Sequence, residues 1–175
     1  MSVKIETPIT REKAKSLKAG DSVLLSGTIY TARDAAHKRL VEAINKGESL
    51  PVELTDITIY YAGPSPTKPG DVIGSCGPTT SCRMDAYVPT LISLGQTAMI
   101  GKGERSEDVI SAMKKHGAVY LAAIGGAGAL IAKSITSAEV IAYDDLGAEA
   151  IRKLTVKDFP AIVVIDSDGN NLYNR

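Results

Sequence analysis

Cysteine and aromatic residues are scarce in this sequence, and neither sign of charge is in excess. Two cysteines among 175 residues are too few for a disulfide scaffold, so we expect reduced thiols and a cytoplasmic protein. Twenty Lys and Arg residues balance twenty Asp and Glu residues, which leaves no basic excess to attract nucleic acid or an anionic membrane. With one Phe and no Trp, the chain offers little on which nucleic-acid bases could stack.

Long apolar runs are also missing. No stretch approaches the length that crosses a membrane, and the opening "MSVKIETPIT" lacks the apolar core of a signal peptide. The composition that remains, 44% hydrophobic and 23% charged, is typical of a soluble globular protein. We therefore expect one domain with its own core over residues 1–175.

Strand-like and helix-like segments alternate along the chain, which predicts an α/β fold. We expect strands at 22–30, 56–62, 72–76, 96–100, 118–124 and 138–147, and a hairpin at 159–174 that turns at Asp168-Gly169. We expect helices at 10–20 with a Thr10 cap, at 31–47, at 79–95 with a kink or a division at Pro89, and at 106–117 with a Ser106 cap. "GGAGALI" predicts a tight turn into a helix, because its third small position is Ile131 and it therefore fails the dinucleotide fingerprint. Small ligands of such folds usually bind where strands give way to helices.

The segment "CGPTTSCRMD", residues 76–85, is the first candidate site. Gly77-Pro78 should end a strand, and Thr79 or Thr80 should cap the next helix. Thr79 and Arg83 are four residues apart and would then share one helix face. A hydroxyl and a guanidinium at a helix start suit a carboxylate or a phosphate. The alternative is an ordinary threonine cap followed by a surface arginine.

Two further segments place a positively charged side chain just after a predicted strand. In "TARDAAHKR", Thr31 with Asp34 resembles a capping box, and Arg33 follows in the first turn, where it is either an anion ligand or a surface arginine. His37 lies on the same face as Arg33, as a proton carrier or as a partly buried helix residue. In "IGKG", two glycines flank Lys102, which allows close approach to a ligand or simply forms a turn.

A metal site is not expected in this chain. Cys76 and Cys82 are six residues apart, and only two histidines accompany them. This set is too small for a complete metal cage.

Five motifs in order, "SGTIYTARDAAHKRL", "GPTTSCRMD", "IGKG", "GGAGAL" and "DLGAEAIRKLTVKDFPAIVVID", resemble the C-terminal domain of class I, iron–sulfur-dependent fumarases. The same domain occurs as the β subunit of two-component fumarases and of L(+)-tartrate dehydratase. The resemblance runs from about residue 5 to the end of the chain. It implies a swivelling β/β/α domain and reversible addition of water to a four-carbon dicarboxylic acid.

The resemblance also implies a partner and a cofactor. In the family, three cysteines of the α component hold a 4Fe–4S cluster, and one iron stays open to act as a Lewis acid on the substrate hydroxyl. We therefore expect this chain to work in a hetero-oligomer, such as α2β2, with a small dicarboxylate as substrate. Cys76 and Cys82 would be bystanders near the site.

The resemblance assigns four residues to the site. Arg33, Arg83 and Lys102 match substrate-binding positions of the family, and Thr79 matches the threonine that takes or relays the carbon-bound proton. Cys82 stands where relatives have a small residue. Fixed cations suit this reaction, because proton removal next to a carboxylate places more negative charge on that group.

Three functions remain open from the sequence. The first is the β subunit of a fumarase, the second is the β subunit of an L(+)-tartrate dehydratase, and the third is a dicarboxylate-binding module without catalysis.

Overall fold

The protein is a mixed α/β structure built on one seven-stranded sheet, in a computed structural model that describes residues 2–123 and 128–174. The predicted α/β class is therefore confirmed. The strands are β1 (Val3–Glu6), β2 (Ser22–Thr31), β3 (Thr58–Tyr60), β4 (Ala98–Gly101), β5 (Val119–Ala123), β6 (Ile135–Ala142) and β7 (Ile151–Ile165).

Five α-helices accompany the sheet. They are α1 (Arg11–Ser16), α2 (Asp34–Asn45), α3 (Val88–Ser93), α4 (Glu107–His116) and α5 (Gly128–Lys133). Three 3-10 helices lie at Ser81–Met84, Asp144–Glu149 and Leu172–Asn174.

The sheet closes on itself through the long strand β7. Strands β1 to β5 run parallel in chain order, and β7 pairs antiparallel with β5, β6 and β2. Ala161 of β7 lies opposite Val23 of β2 on one side and Ala123 of β5 on the other. Strands β2, β3, β4, β5 and β7 therefore form a closed ring, with β1 and β6 outside it.

Buried side chains form two cores, one on each face of the ring strands. One core includes Val23, Tyr60 and Phe159, and the Tyr60 and Phe159 rings meet edge to face at 5.2 Å between centroids. The other core includes Leu40 of α2 and Met113 of α4. The alternation of faces along the strands thus separates a ring interior from a helix-covered side.

Several local signals in the sequence are confirmed. Thr10 caps α1 by accepting from the backbone N–H of Lys13, and Ser106 caps α4 by accepting from Val109. Gly117 ends α4 in the left-handed conformation that favours glycine. Pro89 lies in the first turn of α3, which begins at Val88, so the expected helix at 79–95 is divided into a 3-10 helix and α3.

Other expectations are wrong. Residues 72–76 form no strand, although Ile73 and Cys76 are buried in the first core. The expected hairpin lacks its second strand. After the turn at Asp168-Gly169, the chain pairs with the end of β7 through one isolated bridge, between Ile165 and Asn171. The predicted glycine-rich turn at 125–127 lies outside the described residues.

The sequence predicts no membrane-spanning segment. No helix among the described residues has both the length and the apolar character that a membrane crossing requires.

Candidate active site

The candidate residues follow the carboxyl ends of three neighbouring parallel strands. β2 ends at Thr31, β3 at Tyr60 and β4 at Gly101, and backbone hydrogen bonds continue past these ends. Ala32 donates to the Tyr60 carbonyl at 3.2 Å, and Tyr61 donates to the Ile100 carbonyl at 2.8 Å. Arg33 and Lys102 come directly after these ends, so the fold brings both to one edge of the sheet.

The segment 79–83 joins this edge through its backbone. The Thr79 N–H donates to the Tyr61 carbonyl at 2.7 Å, and the Ser81 N–H donates to the Lys102 carbonyl at 2.8 Å. Thr80 and Lys102 form an isolated parallel bridge. Thr79, Arg83, Arg33 and Lys102 are thereby placed at one end of the ring.

Thr79 does not cap a helix, which corrects the prediction. Its N–H and that of Ser81 bond to neighbouring strand ends, so the chain stays extended until Ser81. Only a 3-10 helix of four residues remains, and Thr80, at its N-cap position, makes no side-chain cap bond. Thr79 and Arg83 therefore do not share a helix face.

Arg83 is held by a carboxylate that the sequence reasoning treated only as part of a helix cap. Its Nε and Nη2 both lie 2.8 Å from Oδ2 of Asp34. Asp34 is the first residue of α2, and Thr31 makes no cap bond there, because Arg33 occupies the N-cap position. The predicted Thr31–Asp34 capping box is therefore wrong, and the Asp34 side chain faces Arg83 instead.

Arg33 lies against a glycine that leaves room for its side chain. A Cβ at Gly63 would be 3.0 Å from both Cδ and Nη1 of Arg33 and 2.9 Å from the Ala148 carbonyl oxygen. The Arg33 Nε is buried without a hydrogen-bond partner among the described residues. A buried donor without a partner is costly, so this guanidinium is suited to donate a hydrogen bond to a further oxygen ligand.

Lys102 is exposed next to a second tightly packed glycine. A Cβ at Gly101 would be 2.1 Å from the Ser81 hydroxyl oxygen and 2.8 Å from the Tyr61 ring. The absence of a side chain at Gly101 thus lets the 79–83 segment lie directly on the end of β4.

A buried polar network supports this edge from behind. The Arg105 Nε donates to Asp85 at 2.8 Å, and its Nη2 donates to the Tyr61 hydroxyl at 3.3 Å. Its guanidinium also lies over the Tyr120 ring at 4.8 Å, and the Tyr120 hydroxyl bonds Ser81 at 2.7 Å.

The burial of this network has an energetic consequence. The Arg105 side chain is fully buried, so loss of Asp85 would leave an uncompensated charge. Sequence reasoning missed the network because no local pattern distinguishes Arg105 from a loop arginine.

His37 is a neutral, buried residue of α2. Its Nδ1 is 2.8 Å from the Arg33 carbonyl oxygen, so Nδ1 carries the proton that it donates. Burial, with Arg105 as a lesser cause, lowers the pKa of His37 to about 4. This geometry favours the buried helix residue over the proton carrier among the two alternatives.

The two cysteines do not fit an iron–sulfur cluster. Cys76 is buried, and burial raises its pKa to about 12, which disfavours the thiolate that binds metals. Cys82 is exposed. The described residues contain no group of three or more His, Cys, Asp or Glu side chains that could hold a metal ion.

The charge at the edge matches a dianion. Arg33, Arg83 and Lys102 bring three positive charges and Asp34 brings one negative charge, which leaves two net positive charges. Arg83 and Lys102 are exposed, and Arg33 and Thr79 are half-buried. The candidate residues thus line an open edge.

Comparisons with known proteins agree on one family. The sequence pattern of the family described as "Fumarase C-terminus" matches residues 1–175. Fumarate hydratase 2 of Leishmania major is 42% identical over 179 residues, covering 100% of this chain and 32% of the relative. The aerobic class I fumarate hydratase of Escherichia coli is 48% identical over 153 residues, covering 86% of this chain and 28% of the relative.

A shorter relative has nearly the same extent as this chain. A Methanocaldococcus jannaschii protein, named as a proposed β subunit of L(+)-tartrate dehydratase, is 42% identical over 173 residues, covering 95% of this chain and 89% of the relative. The chain spans only about a third of the length of the fumarate hydratases. From the family match and these identities, the chain belongs to the fumarase C-terminus family, whose named relatives are hydro-lyases.

Proposed function

We propose that this chain is the β subunit of a two-component hydro-lyase that hydrates fumarate reversibly to L-malate. The carrying observation is the convergence of Arg33, Arg83, Lys102 and Thr79 at one sheet edge in a member of the fumarase C-terminus family. A dicarboxylate has two negative charges, and this edge has two net positive ones. Each charge-assisted hydrogen bond to a substrate carboxylate contributes roughly 1.5–3 kcal/mol.

Each residue has a role in this proposal. The three cations bind and orient the two carboxylates, and they stabilise the charge that develops when the adjacent carbon loses its proton. Thr79 takes or relays that proton from a position fixed by its backbone bond to Tyr61. A second component covers the open edge and excludes bulk water, while the one water molecule that reacts stays in the site.

The cofactor belongs to that second component. Since Cys76 and Cys82 do not fit a cluster, the proposal assigns the 4Fe–4S cluster to the α component, where it supplies Lewis-acid chemistry. The two components form a hetero-oligomer, such as α2β2, in the cytoplasm. Residues 1–175 form one swivelling β/β/α domain, which the closed ring with a helical layer supports.

L(+)-tartrate dehydratase is the second candidate. The observation that favours it is the Methanocaldococcus jannaschii relative, of which this chain covers 89%. A tartrate differs from malate by one hydroxyl, so a partner contact to that hydroxyl would decide between the two substrates.

One experiment tests partner, cofactor and substrate together. The chain is co-expressed anaerobically with a cluster-bearing α component of the same family, and the complex is assayed on fumarate, L-malate and L-tartrate. We expect the isolated chain to be colourless and inactive, and the complex to be coloured and active on one of these substrates.

Two results would contradict the proposal. Iron–sulfur absorbance or turnover by the pure chain would contradict the assignment of the cluster to a partner. Dicarboxylate binding by the chain, with no turnover in any complex, would favour the non-catalytic binding module.

A further inference from the structure

We propose that Asp34 is a positioning residue, which fixes one edge of the Arg83 guanidinium so that the other edge is presented to a substrate carboxylate. This inference rests on the proposed function, because it concerns how the same site binds a dicarboxylate. The sequence pattern alone does not predict this role for Asp34.

The contact geometry carries the first step. A guanidinium has two edges that can bind a carboxylate in a bidentate manner, one formed by Nε and Nη2 and one by Nη1 and Nη2. Asp34 Oδ2 lies 2.8 Å from both Nε and Nη2 of Arg83. The first edge is therefore occupied, and Nη1 makes no hydrogen bond to any described residue.

The exposure of the pair carries the second step. The Arg83 side chain is 49% exposed and that of Asp34 is 33% exposed. Exposed ion pairs contribute little to folding stability, so stability does not explain this contact. An arginine side chain has several rotatable bonds, and holding it in one geometry before the substrate arrives lowers the entropic cost of binding.

The rigidity of the Asp34 backbone carries the third step. Asp34 is the first residue of α2, and the next residue, Ala35, donates its N–H to Glu149 at 3.2 Å. The Arg33 carbonyl is bonded by His37 Nδ1 at 2.8 Å. The carboxylate that holds Arg83 is thus carried by a helix start that is itself fixed on both sides.

Charge gives Asp34 a second effect on the same site. It lowers the net charge of the edge from three positive charges to two. Asp34→Asn would add one net positive charge and attract the dianion more strongly, while it would loosen Arg83. These two effects offset each other in substrate binding, whereas in the transition state the loss of orientation should dominate, because a fixed donor stabilises developing charge best.

The kinetic test uses the complex with the α component. For Asp34→Asn we expect kcat to fall by about 10-fold or more, because a loosely held donor stabilises developing charge poorly. KM should change by less than about 3-fold, because attraction and disorder offset each other. The dependence of kcat/KM on ionic strength should become steeper, because the edge carries more positive charge. Asp34→Glu should restore the wild-type salt dependence and part of kcat.

A control and a direct probe separate the proposal from a folding defect. Asp168 lies in a turn outside the candidate edge and forms an exposed ion pair with Lys18. Asp168→Asn breaks that pair and should leave kcat, KM and salt dependence unchanged. The urea midpoints of both variants should match the wild type. In the isolated chain, the nitrogen–proton NMR signal of the Arg83 Nε–H, assigned by its loss in Arg83→Lys, should be sharp in the wild type and broadened in Asp34→Asn.

The outcomes are distinguishable. A broad Arg83 signal in the wild type, or unchanged kcat and salt dependence in Asp34→Asn, would overturn the positioning role and leave the proposed function intact. A wild-type complex that turns over none of the three substrates would instead overturn the proposed function, and the positioning role with it.

Discussion

Thr79 occupies a position at which a hydroxyl has no structural duty that the fold reveals. Its backbone is bonded to Tyr61, its side chain is half-buried, and it caps no helix. A residue whose side chain is not used by the fold, in a segment fixed by its backbone, is well placed for chemistry.

Thr79→Val tests that role, because valine keeps the shape and removes the hydroxyl. If the proposed roles hold, turnover by the complex should fall by roughly 100-fold or more, in the range of general acid–base groups. Substrate affinity should change little, because the proposal assigns carboxylate binding to three cations rather than to Thr79. The matched control is Thr80→Val, since Thr80 is exposed and joins Lys102 only through its backbone. Near-normal turnover of Thr79→Val would contradict the proton-transfer role.

His37 gives a prediction about stability and pH. Burial lowers its pKa from an ordinary 6.5 to about 4, so between these values the unfolded chain binds a proton that the folded chain does not. The free energy of unfolding should therefore rise with pH across this window, by about 3 kcal/mol from this group. Urea unfolding of the isolated chain at several pH values measures the slope.

The variant His37→Asn isolates this contribution. The asparagine amide can still donate to the Arg33 carbonyl, but it does not titrate. Wild type and variant should differ in slope between pH 4 and 6.5 and run parallel above pH 7, which serves as the internal control. An unchanged slope between pH 4 and 6.5 would show that His37 is not buried as a neutral ring.

At the scale of elements, the prediction from sequence succeeded where signals are local. Caps such as Ser106 and Gly117 act on neighbouring residues, and α4 was found with its ends. β1 was missed, because its four residues pair in parallel with β2 some twenty positions later, and a parallel register leaves no local turn signal. The first half of β7 was also missed. Asp158 and Pro160 are residue types typical of a turn, and Asp158 does adopt a positive φ, but the strand continues through both.

The site shows the same division. Arg33, Thr79, Arg83 and Lys102 were predicted as site residues from motifs at strand ends, and the structure places all four at one edge. Two supporting features, Asp34 on Arg83 and the buried network around Arg105, depend on contacts between residues 17 to 49 positions apart. Such contacts have no spacing rule in a single sequence.

The junction of β4 with the 79–83 segment can be tested by Gly101→Ala. The added Cβ would clash with the Ser81 hydroxyl and the Tyr61 ring, so we expect a loss of roughly 1–3 kcal/mol in the free energy of unfolding, as for overpacked cores. Urea denaturation of the isolated chain measures it, and the activity of the complex should fall because Thr79 and Lys102 are displaced.

A double-mutant cycle identifies the clash. Ser81→Ala removes the hydroxyl oxygen that lies nearest to the new Cβ, so the double variant should recover part of the stability that Gly101→Ala loses. Purely additive losses would place the strain elsewhere than at Ser81.

At the scale of the whole molecule, the candidate edge is open, whereas charged groups in an active site act most strongly when bulk water is excluded. The cations at this edge lie at the carboxyl ends of β2 to β4, and the turn that carries Asp168 lies near Lys18, before β2 begins. The two ends of the ring are therefore distinguishable by chemistry, and only one of them should meet a partner.

The two cysteines provide the probe for that prediction. Cys82 is exposed within the 3-10 helix next to Arg83, whereas Cys76 is buried with its pKa raised to about 12. A maleimide should therefore label Cys82 rapidly and Cys76 slowly in the isolated chain, and Cys82→Ser should remove the fast phase.

When the α component binds, Cys82 should become protected, because in the proposal the partner covers the candidate edge. A cysteine placed at the opposite turn by Asp168→Cys, in the Cys82→Ser background, should stay reactive in the complex. Rapid labelling of Cys82 in a stable, active complex would mean that the partner contacts another face and that the active site is not shared at this edge.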